Sequence, residues 1–212
     1  VNENDLINIL KIINKANKPV IIAGGGVKNS LSHETVLKIS MLLNIPIVSS
    51  AGHGDVIPFD ERLYAGQMGP RGNSVASSLV KDADVILALG TRLGFNSTFY
   101  SYDNINKEAK IIQVDIDKIS LGRYFPITLG ICNDVKDLTE ELLIKIKEES
   151  ISPSFKSWVE NFLENKKNYL EKRELEADLN IKPIQPSGLF KILRENLPKN
   201  SAITLDAGTL CL

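Results

Sequence analysis

The strongest constraint on this chain is an alternation of two patterns. Short apolar runs, mostly β-branched, recur at residues 20–23 (VIIA), 45–50 (IPIVSS), 63–66 (LYAG), 84–90 (DVILALG), 110–117 (KIIQVDID) and 127–131 (ITLGI). Residues 4–16, 31–43, 73–82 and 134–149 instead place apolar side chains at helical spacing, as in Leu6, Ile9, Leu10 and Ile13. Runs that are apolar throughout belong in a sheet covered on both faces. Strands that alternate with helices build a parallel sheet. The expected fold is therefore α/β, a three-layer α/β/α, Rossmann-like sandwich around a six-stranded parallel sheet. Ligands of such sheets bind in the crevice at the carboxyl ends of the strands. Here those ends fall at residues 24–26, 49–54, 66–72, 90–92 and 115–117, and four of these five segments contain glycine.

The loops carry the candidate chemistry. In PVIIAGGGVKNS (19–30) three glycines separate a strand from a helix. Their N–H groups can face a phosphate at a helix start, or they can simply make a tight turn. Gly24 and Gly26 match the dinucleotide fingerprint G-x-G-x-x-G, but its last position is Asn29. Ser49 and Ser50 stand where the second strand would end in an acid, so a standard NAD dehydrogenase is not expected. Arg71, in GQMGPRGN, can meet an anion or stand in solvent. Arg92, in ALGTRL, follows a buried strand, where a guanidinium needs an acid, a phosphate or a planar ring. Asp115 and Asp117 end another strand. One of them can hold a ribose hydroxyl, pair with Arg92 or cap a helix. His53 and His33 have no identifiable nucleophile beside them and read as structural. No GxSxG, HExxH or P-loop motif occurs.

Charge and composition narrow the classes. Lys and Arg number 25 against 26 Asp and Glu, so no basic excess points to nucleic acid. Cys132 and Cys211 form no CxxC pair, and neither a disulfide framework nor a zinc site is expected. A reduced, cytoplasmic setting follows most simply. No apolar run approaches the ~18 residues of a membrane span, and VNENDLINILKI is not a secretory signal. After Glu149 the character changes. Residues 154–178 read as a solvated connecting helix, IKPIQPSG as a proline-bearing linker, and Ser187 as the cap of a helix reaching Leu197. AITLDAGTL reads as a new strand with a glycine turn. The chain opens on Val1 and stops just after that run, so a piece of a longer polypeptide is expected.

The segments KPVIIAGGGV, IPIVSSAGHGDVIPFDERLYAGQMGPRGN, ADVILALGTRL and IIQVDID, with Asp134–Val135 after GI, resemble the central domain of thiamine diphosphate-dependent enzymes. The resemblance is to the acetolactate synthase-like branch. LGTRLGFNST, AKIIQVDID and LGIC are also similar to sulfoacetaldehyde acetyltransferases. It implies a central domain over 1–150, a helical linker over 151–186 and the truncated start of a pyrophosphate-binding domain over 187–212. It implies thiamine diphosphate and Mg2+ in the full enzyme, held by motifs outside this chain, and a homodimer or homotetramer with the rest of the polypeptide. No nucleic-acid or membrane partner is implied, and residues 1–212 alone would not be catalytic. The central domain of this superfamily holds FAD, ADP or nothing. Carried over by position, FAD-type contacts fall on Gly24, Gly25, Gly26, Ser50, Ala51, Met68, Gly69, Arg71, Gly90, Thr91, Arg92, Asp115 and Asp134. FAD binders often have Met-His where this chain has Pro70–Arg71, and aromatic and acidic residues where it has Leu93–Gly94. A nucleotide-binding regulatory or electron-transfer module and a ligand-free spacer remain alternatives.

Overall fold

The computed structural model describes residues 1–149, 154–198 and 200–204. They divide into two compact units, Val1–Leu163 and Glu164–Leu212.

The first unit is built on six parallel strands: β1 (Pro19–Ala23), β2 (Ile47–Ser49), β3 (Tyr64–Gln67), β4 (Val85–Leu89), β5 (Lys110–Asp115) and β6 (Leu129–Cys132). Their order across the sheet is β3-β2-β1-β4-β5-β6. β1 and β4 are buried at every position, so neither face of the sheet centre meets water. Pairing is in register from Pro19↔Val85 to Ala23↔Leu89. Helices α1 (Glu3–Ile13), α3 (His33–Leu43), α4 (Ser74–Asp82) and α6 (Val135–Glu148) are amphipathic and flank the sheet, giving the expected three-layer α/β/α sandwich. α3 and α1 both pack against α6.

Two short helices follow sheet ends, α2 (Gly25–Asn29) just after β1 and α5 (Phe95–Thr98) after the loop at 90–94 that leaves β4. The β2–β3 connection contains no helix. A buried pair in it, Val56 and Ile57, anchors the loop to the core. The long helix α7 (Lys156–Glu176) begins in this unit, where Val159 and Phe162 are buried and the Trp158 indole N–H donates to the Pro19 carbonyl at 3.0 Å.

In the second unit α8 (Pro186–Asn196) starts with proline at a position that tolerates it. Its N-cap is Gln185, not Ser187. The Ser187 hydroxyl donates instead to the Glu176 carbonyl at 2.8 Å, because Pro186 already occupies the first turn and moves the helix start upstream. The strand expected in AITLDAGTL lies, from Asp206 onward and at Leu205, outside the described residues; 201–204 form no regular element. Among the described residues no helix is long and apolar enough to cross a membrane.

Candidate functional site

The order of the strands places the site. From β1 the chain passes to β2 on one side, and from β4 it passes to β5 on the other. The two loops part where the order reverses, and a crevice opens at the carboxyl ends between them. A cleft of about 620 Å³ occupies this point, within the roughly 300–1,000 Å³ usual for small-ligand pockets.

The floor of the cleft is where the β1 and β4 loops touch backbone to backbone. The Gly24 N–H donates to Leu89 O at 2.9 Å and the Gly26 N–H to Gly90 O at 3.0 Å. A Cβ on Gly24 would stand 2.3 Å from the Gly90 carbonyl oxygen, so only glycine allows the approach. The turn reading of these glycines therefore has a direct physical cause. Of the three N–H groups expected to face a phosphate, those of Gly24 and Gly26 are engaged within the chain, and that of Gly25 has no partner among the described residues. α2 is little more than one turn long and adds little dipole. Gly25 faces His53, whose Cε1 lies 2.8 Å from the position of a Gly25 Cβ.

Nine of the thirteen residues carried over by position line the cleft: Gly25, Gly26, Ser50, Ala51, Gly90, Thr91, Arg92, Asp115 and Asp134. Gly24 lies under the floor. Met68 is buried, Gly69 backs onto the Asn96 carbonyl and Arg71 is exposed; none of the three lines the cleft. Arg92 is exposed and makes no ion pair among the described residues. Its suspected partner Asp117 is committed elsewhere. Asp117 caps a 3-10 turn at Lys118–Ser120, accepting from the Ile119 N–H at 3.0 Å and the Ser120 hydroxyl at 2.9 Å. Those bonds, more than the Arg92 and Arg123 charges, hold its carboxyl below the usual value. Asp115 is buried, and its Oδ1 accepts the Asp117 N–H at 3.0 Å. Asp134 caps α6 through the Lys136 N–H at 2.7 Å.

One buried side chain braces a loop of the cleft. Gln113 donates to the carbonyls of Thr91 at 3.0 Å and Ser120 at 3.2 Å, and accepts the Gly122 N–H at 2.8 Å. It ties the Arg92 loop to the segment after β5. The cleft also includes His53, Asn29, Ser30 and the α5 residues Phe95 and Ser97. Sequence reasoning set His53 aside for want of a nucleophile partner and passed over α5, because four residues are too few to show a period. The position of His53 just past the β2 end was the available signal. Among the described residues, no group of three or more His, Cys, Asp or Glu side chains is placed to hold a metal.

A family model described as "Thiamine pyrophosphate enzyme, central domain" matches residues 6–142. A sulfoacetaldehyde acetyltransferase of Castellaniella defragrans is 40% identical over 138 residues, covering 64% of this chain and 23% of the relative. A second, of Roseovarius nubinhibens, is 28% identical over 99% of this chain and 38% of its own length. A probable acetolactate synthase large subunit of Methanocaldococcus jannaschii is 31% identical over 93% of this chain and 34% of its own length. The chain thus spans between about a quarter and two-fifths of these relatives.

Proposed function

This chain belongs to the thiamine pyrophosphate enzyme central-domain family, and from that premise we propose that its switch-point cleft is the nucleotide site of a thiamine diphosphate-dependent carboligase or decarboxylase. One observation carries the reading. The cleft brings together a cation with no ion pair among the described residues, Arg92, and a buried carboxylate, Asp115, at the carboxyl ends of neighbouring strands β4 and β5.

The donors present fit FAD or ADP. Arg92 and the Gly25 N–H supply positive groups for phosphate oxygens. Asp115 Oδ1 is engaged by the chain, while its Oδ2 accepts no bond among the described residues and suits a ribose hydroxyl. Thiamine diphosphate, when bound, supplies an ylid that stabilises a carbanion. We assign it and Mg2+ to parts of the polypeptide outside residues 1–212, at an interface within a homodimer or homotetramer. On this assignment residues 1–150 are the central domain, 151–186 the linker and 187–212 the start of the pyrophosphate-binding domain, and the role of this chain is to bind and to hold.

The first reading of the whole enzyme is acetolactate synthase-like, acting on 2-oxo acids. A sulfoacetaldehyde acetyltransferase is the second, supported by 40% identity to one such enzyme over 64% of this chain, although over nearly the whole chain such an enzyme stands at 28% against 31% for an acetolactate synthase subunit. The test has two parts. Residues 1–212 are purified, denatured and assayed for released flavin or ADP, then incubated with thiamine diphosphate, Mg2+ and either pyruvate or sulfoacetaldehyde. Expected are nucleotide binding, by retention or on titration, and no consumption of either substrate. Turnover above a boiled control contradicts the assignment of the catalytic groups, and absence of any nucleotide binding contradicts the assignment of the cleft.

A further inference from the structure

We propose that Phe95, at the rim of the cleft, is the platform on which the planar heteroaromatic ring of the nucleotide stacks. The inference rests on the nucleotide reading and narrows it to a residue to which none of the family-type contacts falls.

Phe95 begins α5 and lines the cleft, yet it is 54% exposed. A phenyl ring in that position gains from being covered. Its helix is fixed from behind. Ser97 and Thr98 are buried; the Ser97 hydroxyl accepts the Ala51 N–H at 3.0 Å, and the Thr98 hydroxyl donates to Leu93 O at 3.0 Å and accepts the Tyr100 N–H at 3.1 Å. Leu93, Phe99 and Tyr100 have φ of 50°, 49° and 54°, a left-handed conformation that any residue with a Cβ resists. Three of the five non-glycine residues with positive φ among the described residues fall in this segment, which presents aromatic rings outward, and residues held in such backbone regions cluster at functional sites.

The ring is also held in plane. Phe99 stacks on it with centroids 4.8 Å apart and 24° between planes, and Tyr100 tilts against it at 5.6 Å. With both rings against it Phe95 still keeps more than half of its surface open, at the lining of the cleft. Arg92, three residues earlier, and Asp115 supply the groups for phosphate and ribose, so the aromatic face completes the set a nucleotide needs. Stacking on an aromatic side chain accepts adenine or isoalloxazine alike, because each has a π-face.

The test is titration of ADP, FMN and FAD into the protein and into Phe95→Ala, Phe95→Leu and Phe95→Tyr, with flavin fluorescence quenching and a melting curve for each. Phe95 is exposed, so the variants should fold, and the melting curves separate the loss of its contacts with Phe99 and Tyr100 from the loss of binding. Loss of a stacked ring weakens binding roughly five- to a hundred-fold. Expected is a loss of that order in the Ala and Leu variants, with Tyr within about two-fold of the parent. Weakening of ADP but not FMN marks adenine as the ring; weakening of FMN but not ADP marks the flavin. Equal binding by parent and Leu variant overturns the inference and frees this aromatic face for a protein contact. A parent that binds none of the three overturns the nucleotide reading itself, and this inference with it.

Discussion

A Cβ on Gly26 would stand 2.6 Å from the Gly90 Cα, and a Cβ on Gly90 would stand 2.4 Å from the Gly26 Cα. Neither atom can move without moving a strand end. Gly25 differs, because the atoms that its Cβ would meet belong to the His53 ring, which can rotate away. The two neighbouring glycines therefore separate by experiment. Gly26→Ala is expected to cost about 1–3 kcal/mol or more through overpacking, lowering Tm by roughly 2–4 °C for each kcal/mol in a chain of this size. Gly25→Ala is expected to cost no more than about 0.5 kcal/mol. Thermal melts of both variants check this, and equal losses would show that the backbone contact is not what demands glycine. The GGG run was visible in the sequence as a strand-to-helix turn. Which glycine met which atom was not, since Gly90 lies 64 positions away from Gly26 and only the β1–β4 pairing brings them together.

The strands were readable because each is a run of apolar residues too short for a helix and bounded by glycine, serine or an acid. β1, β4 and β5 begin within one residue of where the pattern places them. What escaped was short or irregular. α5 has no period to detect, and the β2–β3 connection is a loop whose place is fixed by contacts distant in sequence. Two such contacts stand out. The Tyr64 hydroxyl bonds to Ser49 Oγ at 2.8 Å and donates to Gly54 O at 3.2 Å. Lys28, on α2, pairs with Asp55 in the loop, and that hydrogen bond is the main reason the Asp55 carboxyl lies below its usual value. A depressed carboxyl contributes stability that is complete above the ordinary aspartate value of about 3.9 and is lost as pH falls through the lowered folded value. Lys28→Met should therefore flatten the rise of stability with pH below about pH 4. The effect should be at most about 1 kcal/mol, because the pair is exposed. Melting curves of parent and variant across that acid range check this, and identical slopes would mean that the pair does not hold the loop.

Across the whole molecule, the sheet order creates a crevice and the carboxyl ends of five strands furnish it, with Ser50 and His53 following β2 and Asp134 following β6. β1 supplies the glycine floor, β4 supplies Arg92 and Phe95, and β5 supplies Asp115. None of these side chains would mark a nucleotide site by itself; the proposal rests on their convergence, and convergence is a property of topology that no local stretch of sequence contains. Family membership identifies the domain, while the cleft carries the proposal for what this chain contributes. Arg92 decides between a ligand-holding domain and a spacer. Its guanidinium makes no ion pair among the described residues, so its loss should leave the fold unchanged. A charge-assisted contact to a ligand is worth about 1.5–3 kcal/mol, or roughly ten- to a hundred-fold in affinity. The decisive measurement is a calorimetric titration of FAD and of ADP into the protein and into Arg92→Ala, with a melting curve for each. Weakening of that order with an unchanged Tm is the predicted result; equal binding by parent and variant, or no binding of either nucleotide by the parent, would contradict it.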